Sequence, residues 1–248
     1  MVRIKILIEY NGEDYVGWQI QRDGKSIQSE IEKSLEEIYD TKIKLIVAGR
    51  TDAGVHALEQ VAHFDLDDNK IPEDKIFKAL NSNLRERANK ITILKSTVVS
   101  SNFHARFSAK KKTYLYQILN RQSISYLQNK SSWFFPKPLN IEKMSNAANH
   151  LLGRHDFNAF RSIHCQSKNS VRSIDSISIK KKHQLISIRI KGKSFLHNQI
   201  RIIVGSIVMV GEGKWNINYI KSVLESKDRK IAGPTAPAHG LYLEKIIY

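Results

Sequence analysis

Cysteine is almost missing from this chain: Cys165 is the only one in 248 residues, so no intrachain disulfide can form and no cysteine-rich metal site exists. Long apolar runs are missing too. The longest, Ile202 to Val210, is far too short to span a bilayer, and the absence of a long basic amphipathic helix argues against an anionic membrane surface as partner. There is no glycine-rich phosphate loop of the P-loop pattern and no clear second carboxylate of the kind that a glycosidase pair or a Mg²⁺ site requires. Charges at Arg3, Lys5 and Glu9 interrupt the apolar residues of Met1 to Tyr10, which suits a strand rather than a signal peptide, and the cytoplasm is the expected compartment.

Acidic residues are scarce in one half only. Residues 1–107 hold 16 Lys plus Arg against 17 Asp plus Glu, while residues 108–248 hold 24 against 7, so the whole net charge of +16 belongs to the second half. An AT-biased genome would raise the lysine content but would not segregate it. A polyanion lying across one half accounts for the segregation, because Lys and Arg release condensed counterions when they neutralise phosphates. Nucleic acid is therefore the leading class of partner. With 41% hydrophobic content the chain can build one large core or two small ones.

The most distinctive stretch runs from Gly49 to His56, where Asp52 stands between Gly49 and Gly54 and close behind Arg50. Flanking glycines open backbone conformations closed to other residues and allow a ligand to come near. Arg50 can hold a neighbouring carboxylate ionised or grip a phosphate. Asp52 is the first candidate for a catalytic group.

Periodicity gives the same element order twice. In the first half Lys5–Glu9 reads as a strand, and Ser26 caps a helix with Ile27, Ile31, Leu35 and Ile38 on one face. The alternation of Ile43, Leu45 and Val47 gives a strand, Val61–Asp65 another, Phe77, Leu80 and Leu84 a second helix, and Ile91–Val99 a closing strand. In the second half the strand Thr113–Leu119, the helix Ile141–Leu152, the strand pair Ser173–Lys180 and Leu185–Ile190, the helix Phe195–Val210, a further helix at Asn216–Glu225 and the strand Leu241–Ile247 follow. This predicts an α+β protein of two ferredoxin-like (β-α-β-β-α-β) halves, residues 1–104 and 105–248, joined around a central antiparallel sheet with a basic RNA-binding cleft. Ser100–Ala109 is the expected linker, and Arg121–Trp133, His164–Asn169 and Ser226–His239 are the expected mobile loops.

Six blocks of residues, in order, carry a family resemblance. Beside the Gly49–His56 motif they include Tyr10, Gly12, Tyr15, Gly17, Trp18 and Gln19; Gln60, Val61, His63 and Phe64; Phe103 to Ser108; Lys112, Thr113, Tyr114 and Tyr116; Phe195, Leu196, His197, Arg201, Ile203, Val204 and Gly205; and Pro234 to Pro237 with Gly240 to Leu243. The chain resembles the bacterial tRNA pseudouridine synthase A family over nearly its whole length. The resemblance implies a cofactor-free isomerase that converts uridine to pseudouridine at positions 38, 39 and 40 of the anticodon stem-loop of tRNA, working as a homodimer. It implies Asp52 as nucleophile, Arg201 as its ionic partner, Arg50 beside the target nucleotide, Tyr114 stacked on the uracil and Leu241 on the base's other side. In the block around Arg201 the family commonly has methionine at the position of Gln199 and often asparagine at that of Ile202.

The residues can be weighed without that help. Breaking the bond from N1 to the sugar, rotating the base and rejoining it through C5 involves no net redox change, and a carboxylate can serve it as nucleophile or as base. An enclosed carboxylate needs an adjacent cation to stay ionised, and Arg50 and Arg201 are the candidates, with a snorkelling cation on an apolar helix as the plain reading of Arg201. A flipped base needs a stacking surface, for which Tyr114 and Tyr116, just after Lys110 to Lys112, are suited, although both also fit as ordinary strand residues. His56 and His63 lack a third strong ligand for a metal. His104 and Arg106, between Phe103 and Phe107, are candidates for the RNA backbone, with the two phenylalanines equally readable as core. Two other classes stay open: a non-catalytic RNA-binding protein, and a glycosidase-like or phosphoryl-transfer enzyme acting on a nucleotide.

Overall fold

In a computed structural model of the chain, residues 1–67 and 71–248 are described, and they form two compact units. The first comprises Met1–Lys110 with Tyr242–Tyr248, and the second Lys111–Leu241.

The first unit begins with β1 (Val2–Tyr10), in which Ile4, Ile6, Ile8 and Tyr10 are buried and the intervening residues are more exposed, the period-two pattern of a strand with one covered face. α1 (Ile27–Tyr39) starts at Ser26, whose hydroxyl accepts from the Ser29 amide while the Ser29 hydroxyl accepts from the Ser26 amide, a reciprocal cap. Then come β2 (Ile46–Val47), β3 (His56–Leu66), α2 (Ile76–Glu86) and β4 (Ile91–Val99). Strand β1 lies between β4 and β3, antiparallel to both. The far edge of β3 is shared: β2 pairs antiparallel with it at His63 and Ala62, and β10 (Leu241–Ile247) pairs parallel with it at His56 and Ala57. Ile27, Ile31 and Leu35 of α1 and Ile76, Leu80 and Leu84 of α2 are fully buried and complete this core.

The second unit contains β5 (Lys111–Asn120), β6 (Trp133–Phe135), α3 (Ile141–Asn149), β7 (Gly153–Asp156), β8 (Val171–Lys182), β9 (Leu185–Gly192), α4 (Gln199–Gly211) and α5 (Tyr219–Ser226). Its strands run β5-β9-β8-β7, each antiparallel to its neighbour, with β6 parallel to β5. Helix α4 is buried almost all round, as expected for an apolar helix without a polar face. The protein is thus mixed α+β, with mostly antiparallel sheet in each unit and five α-helices among the described residues.

Several elements differ from their sequence reading. Ile43 and Leu45 are buried, but only Ile46–Val47 is strand, because ladder bonding to β3 reaches no further. Helix α4 starts at Gln199 rather than Phe195, since Asn198 takes a left-handed φ of 60° that a helix interior does not admit. Helix α3 stops at Asn149, and β6 and β7 were not foreseen. Ser226–His239 is irregular but anchored: Arg229 donates to the carbonyls of Ala232 and Gly233, and the Gly233 amide donates to Ser206 Oγ.

Candidate active site

The loop carrying Asp52 is held from several sides by the residues around it. Val55 donates its amide to the Asp52 carbonyl at 3.1 Å, and Gly54 takes a φ of 75°, the positive value that favours glycine within a tight turn. Upstream of the carboxylate, the buried Gln60 side chain donates to the Gly49 carbonyl at 2.8 Å. The buried Tyr10 hydroxyl is 2.7 Å from Thr51 Oγ1, and the Trp18 amide donates to the Thr51 carbonyl at 3.0 Å. Downstream, Nδ1 of buried His56 accepts the Gly12 amide at 3.1 Å, and its ring stacks on Tyr242 with centroids 4.7 Å apart. Between these fixed points Asp52 is half-buried and Arg50 is exposed.

These contacts give physical reasons for the glycines near the start of the chain. A Cβ on Gly12 would lie 2.0 Å from the Val55 carbonyl oxygen, and one on Gly17 would lie 2.7 Å from that of Thr51. Both segments press directly on the Asp52 loop, backbone against backbone. Burial pushes the Tyr10 phenol up to about 12, against the pull of its bonds to Thr51 and Gln60, so it stays protonated and able to donate. Tyr10, Gly12, Gly17, Trp18 and Gln60 had no role in the sequence reading beyond the resemblance. No local signal marks them, since the strand around Gln60 also carries Glu59, His63 and Asp65.

Tyr114, Arg201 and Leu241 belong to the second unit. Tyr114 on β5 is mostly buried, edge-on to Phe195 at 5.3 Å. Half-buried Arg201, in the first turns of α4, donates from Nε to the Ala236 carbonyl at 2.7 Å and from Nη1 to Asn198 Oδ1 at 3.0 Å. The Ala236 amide returns a bond to the Arg201 carbonyl at 3.1 Å. This segment fits because Gly205 has no side chain: a Cβ there would meet the Pro234 carbonyl oxygen at 1.8 Å. One turn further on, the buried Tyr116 hydroxyl donates to the Pro237 carbonyl at 2.7 Å, and Gly240 packs against the Tyr116 ring. Burial raises the Tyr116 phenol well above its ordinary pKa, opposed by the charge of Arg201. Segment 234–241 thereby ties β5 and α4 to buried Leu241.

The two histidines weighed as metal ligands each have an anchoring bond. Nδ1 of His63 accepts the Ala105 amide at 3.1 Å, as that of His56 accepts Gly12. Burial pushes the His63 imidazole down to about 4, helped by the charges of Arg3 and His104, so it is neutral near pH 7.

The model of a family described as tRNA pseudouridine synthase matches residues 6–108 and 147–248. Full-length curated relatives carry the name tRNA pseudouridine synthase A. Those of Sinorhizobium fredii (44% identical over 248 residues), Anaplasma phagocytophilum (46% over 250) and Ehrlichia chaffeensis (46% over 248) are each covered over 100% of both chains. The chain belongs to the tRNA pseudouridine synthase family, whose reaction is an isomerisation.

Proposed function

We propose that this protein isomerises uridine to pseudouridine at positions 38, 39 and 40 of the tRNA anticodon stem-loop, with Asp52 as nucleophile. The observation that carries the reading is full-length similarity to proteins named tRNA pseudouridine synthase A, joined to a loop anchored at Gly49, Thr51 and His56 on either side of Asp52. The reaction balances without a cofactor: the bond from N1 to the sugar breaks, the base turns, a bond from C5 to the sugar forms, C5 loses a proton and N1 gains one. In this reading Arg201 keeps Asp52 ionised, Arg50 holds the target nucleotide out of its stack, and Tyr114 and Leu241 lie against the two faces of the base. The enzyme works in the cytoplasm as a homodimer. The +16 net charge supports tRNA as the polyanion.

The element order supports two ferredoxin-like halves, residues 1–104 and 105–248, and the excess of Lys and Arg after residue 107 supports RNA as the partner of the second. The first unit reads β1-α1-β2-β3-α2-β4, and the chain then repeats that order as β5-α3-β8-β9-α4-β10, with β6, β7 and α5 added.

The test is tritium release from tRNA carrying [5-³H]uridine, with no metal or nucleotide added, for native protein and Asp52→Ala. Release is expected from the native protein and not from the variant, which still binds tRNA. Transcripts with uridine replaced singly at 38, 39 or 40 assign the positions. Release by Asp52→Ala would overturn its role as nucleophile, and none by the native protein would overturn the enzyme.

A further inference from the structure

The segment Phe103–Ser108 takes no part in the site described above, and its two phenylalanines have opposite fates. Phe103 turns inward, its ring centroid 4.9 Å from that of Tyr248 and 5.9 Å from that of His63. Phe107 is 76% exposed. A lone exposed apolar side chain is ordinary on a protein surface. The support under this one is not.

Every turn of the segment is bonded. The Ala105 amide donates to His63, the Ala105 carbonyl accepts the Tyr248 hydroxyl at 2.8 Å, and the Phe103 carbonyl accepts Arg3 Nη1 at 2.8 Å. The His104 amide donates to Ser108 Oγ and the Ser108 amide to the His104 carbonyl, which closes the loop on itself. His104 Nδ1 accepts the amides of both Arg106 and Phe107 at 3.2 Å. The His104 ring then lies 4.3 Å from that of Phe107, 34° from parallel, and the Arg106 guanidinium sits 5.6 Å from the same ring. An aromatic face is thus held ready in solvent with a cation beside it.

We infer that Phe107, flanked by Arg106 and His104, is a stacking platform for an unpaired base of the bound tRNA, in addition to the group that stacks the target uracil. The inference rests on the tRNA reading above. An aromatic face serves any base, because every base has a π-face, and the neighbouring guanidinium suits the adjoining phosphate. RNA fits this patch better than a second protein. One phenylalanine is far from the roughly 800 Å² per partner of a stable protein interface. Two copies meeting symmetrically here would also set Arg106 against Arg106.

The test is equilibrium binding of an unmodified tRNA transcript at several salt concentrations, with tritium release followed in parallel. Phe107→Ala is expected to weaken binding about 5- to 100-fold and leave the salt dependence unchanged, since stacking releases no counterions. Phe107→Trp should restore affinity. Arg106→Ala should lower the salt slope by about one. Because Phe107 is exposed, thermal melting of Phe107→Ala should match the native protein, so a loss of binding cannot be a loss of fold. Affinity of Phe107→Ala within roughly twofold of native, below what one stacked base supplies, would overturn the platform. So would a change in sedimentation behaviour, which would make the patch a protein contact. A native protein that neither binds tRNA nor releases tritium would instead mark failure of the underlying reading.

Discussion

Gly17 lies so close to Thr51 that a Cβ on it would sit 2.7 Å from the Thr51 carbonyl oxygen, and its φ of 107° is strained for any other residue. The next residue, Trp18, donates its amide to that same carbonyl, and Asp52 follows Thr51 directly. An alanine at 17 must therefore push the loop away and the carboxylate with it. We expect Gly17→Ala to cost about 1–3 kcal/mol in denaturant unfolding and to reduce kcat more than it raises KM. Native kcat in a folded variant would show that Gly17 does not set the position of Asp52.

Tyr10 and Thr51 make a buried hydroxyl pair at 2.7 Å. Tyr10→Phe keeps the ring and leaves Thr51 Oγ1 without that partner, a loss of about 1–2 kcal/mol. A double-mutant cycle with Thr51→Val should return a coupling of about 0.5–1.5 kcal/mol in stability, with turnover falling in both single variants. Additive effects in the cycle would show that the two hydroxyls do not act on each other.

Much of this arrangement was legible in the chain. The strand read at Lys5–Glu9, the Ser26 cap and the face of Ile27, Ile31 and Leu35 report local geometry, and the elements follow them closely. The oddity of a carboxylate between glycines marked the Asp52 loop. Its anchors were not legible, because Gly12, Gly17 and Gln60 act by close approach across the fold and no periodicity encodes that. The start of α4 was misread because an apolar run does not show that Asn198 turns left-handed. Phe103 and Phe107 share one motif, and only tertiary packing separates the half-buried ring from the exposed one. Gln199 is fully buried, with Oε1 accepting the Leu196 amide and Nε2 without a partner.

Acid should destabilise the first unit through His63. Its folded pKa of about 4 lies below the ordinary imidazole value of 6.5, chiefly through burial, so protonation favours the unfolded chain. This contribution is fully present above pH 6.5 and is lost as pH falls from 6.5 towards 4. His63→Asn keeps an acceptor for the Ala105 amide and cannot titrate in that window. Melting curves between pH 7 and pH 4 should therefore fall less steeply for the variant, and parallel curves would remove His63 as the cause.

Glu30 acts in a lower range. Its side chain is buried; burial alone would raise its pKa, but bonds from Asn89 and Lys33, with the charges of Lys33 and Lys25, bring it below the ordinary carboxylate value. Arg87 is also within 3.7 Å. A carboxylate with a lowered pKa stabilises the fold above its unfolded value near 4.5, and that stabilisation is lost as pH falls through the folded value. Glu30→Gln should be less stable than native at pH 7, by about 1–3 kcal/mol, and the gap should narrow in acid. A gap that holds at low pH would point to packing rather than charge.

Arg201 separates geometry from charge. Its guanidinium serves Ala236 and Asn198 at once, and a lysine, with one compact ammonium, cannot reproduce both bonds. Segment 234–241 has other attachments to its surroundings, through the Ala236 amide, the Gly233–Ser206 bond and the close fit at Gly205. Arg201→Lys should therefore cost only about 1 kcal/mol in stability. If the proposed pairing with Asp52 depends on a cation held at one place, kcat should fall tenfold or more, about 1.4 kcal/mol of transition-state free energy, while the melting temperature changes little. If charge alone matters, Arg201→Lys should remain active and Arg201→Met should not. Equal activity in all three proteins would leave the guanidinium with no part in the reaction, and its bonds to Ala236 and Asn198 would be its whole role.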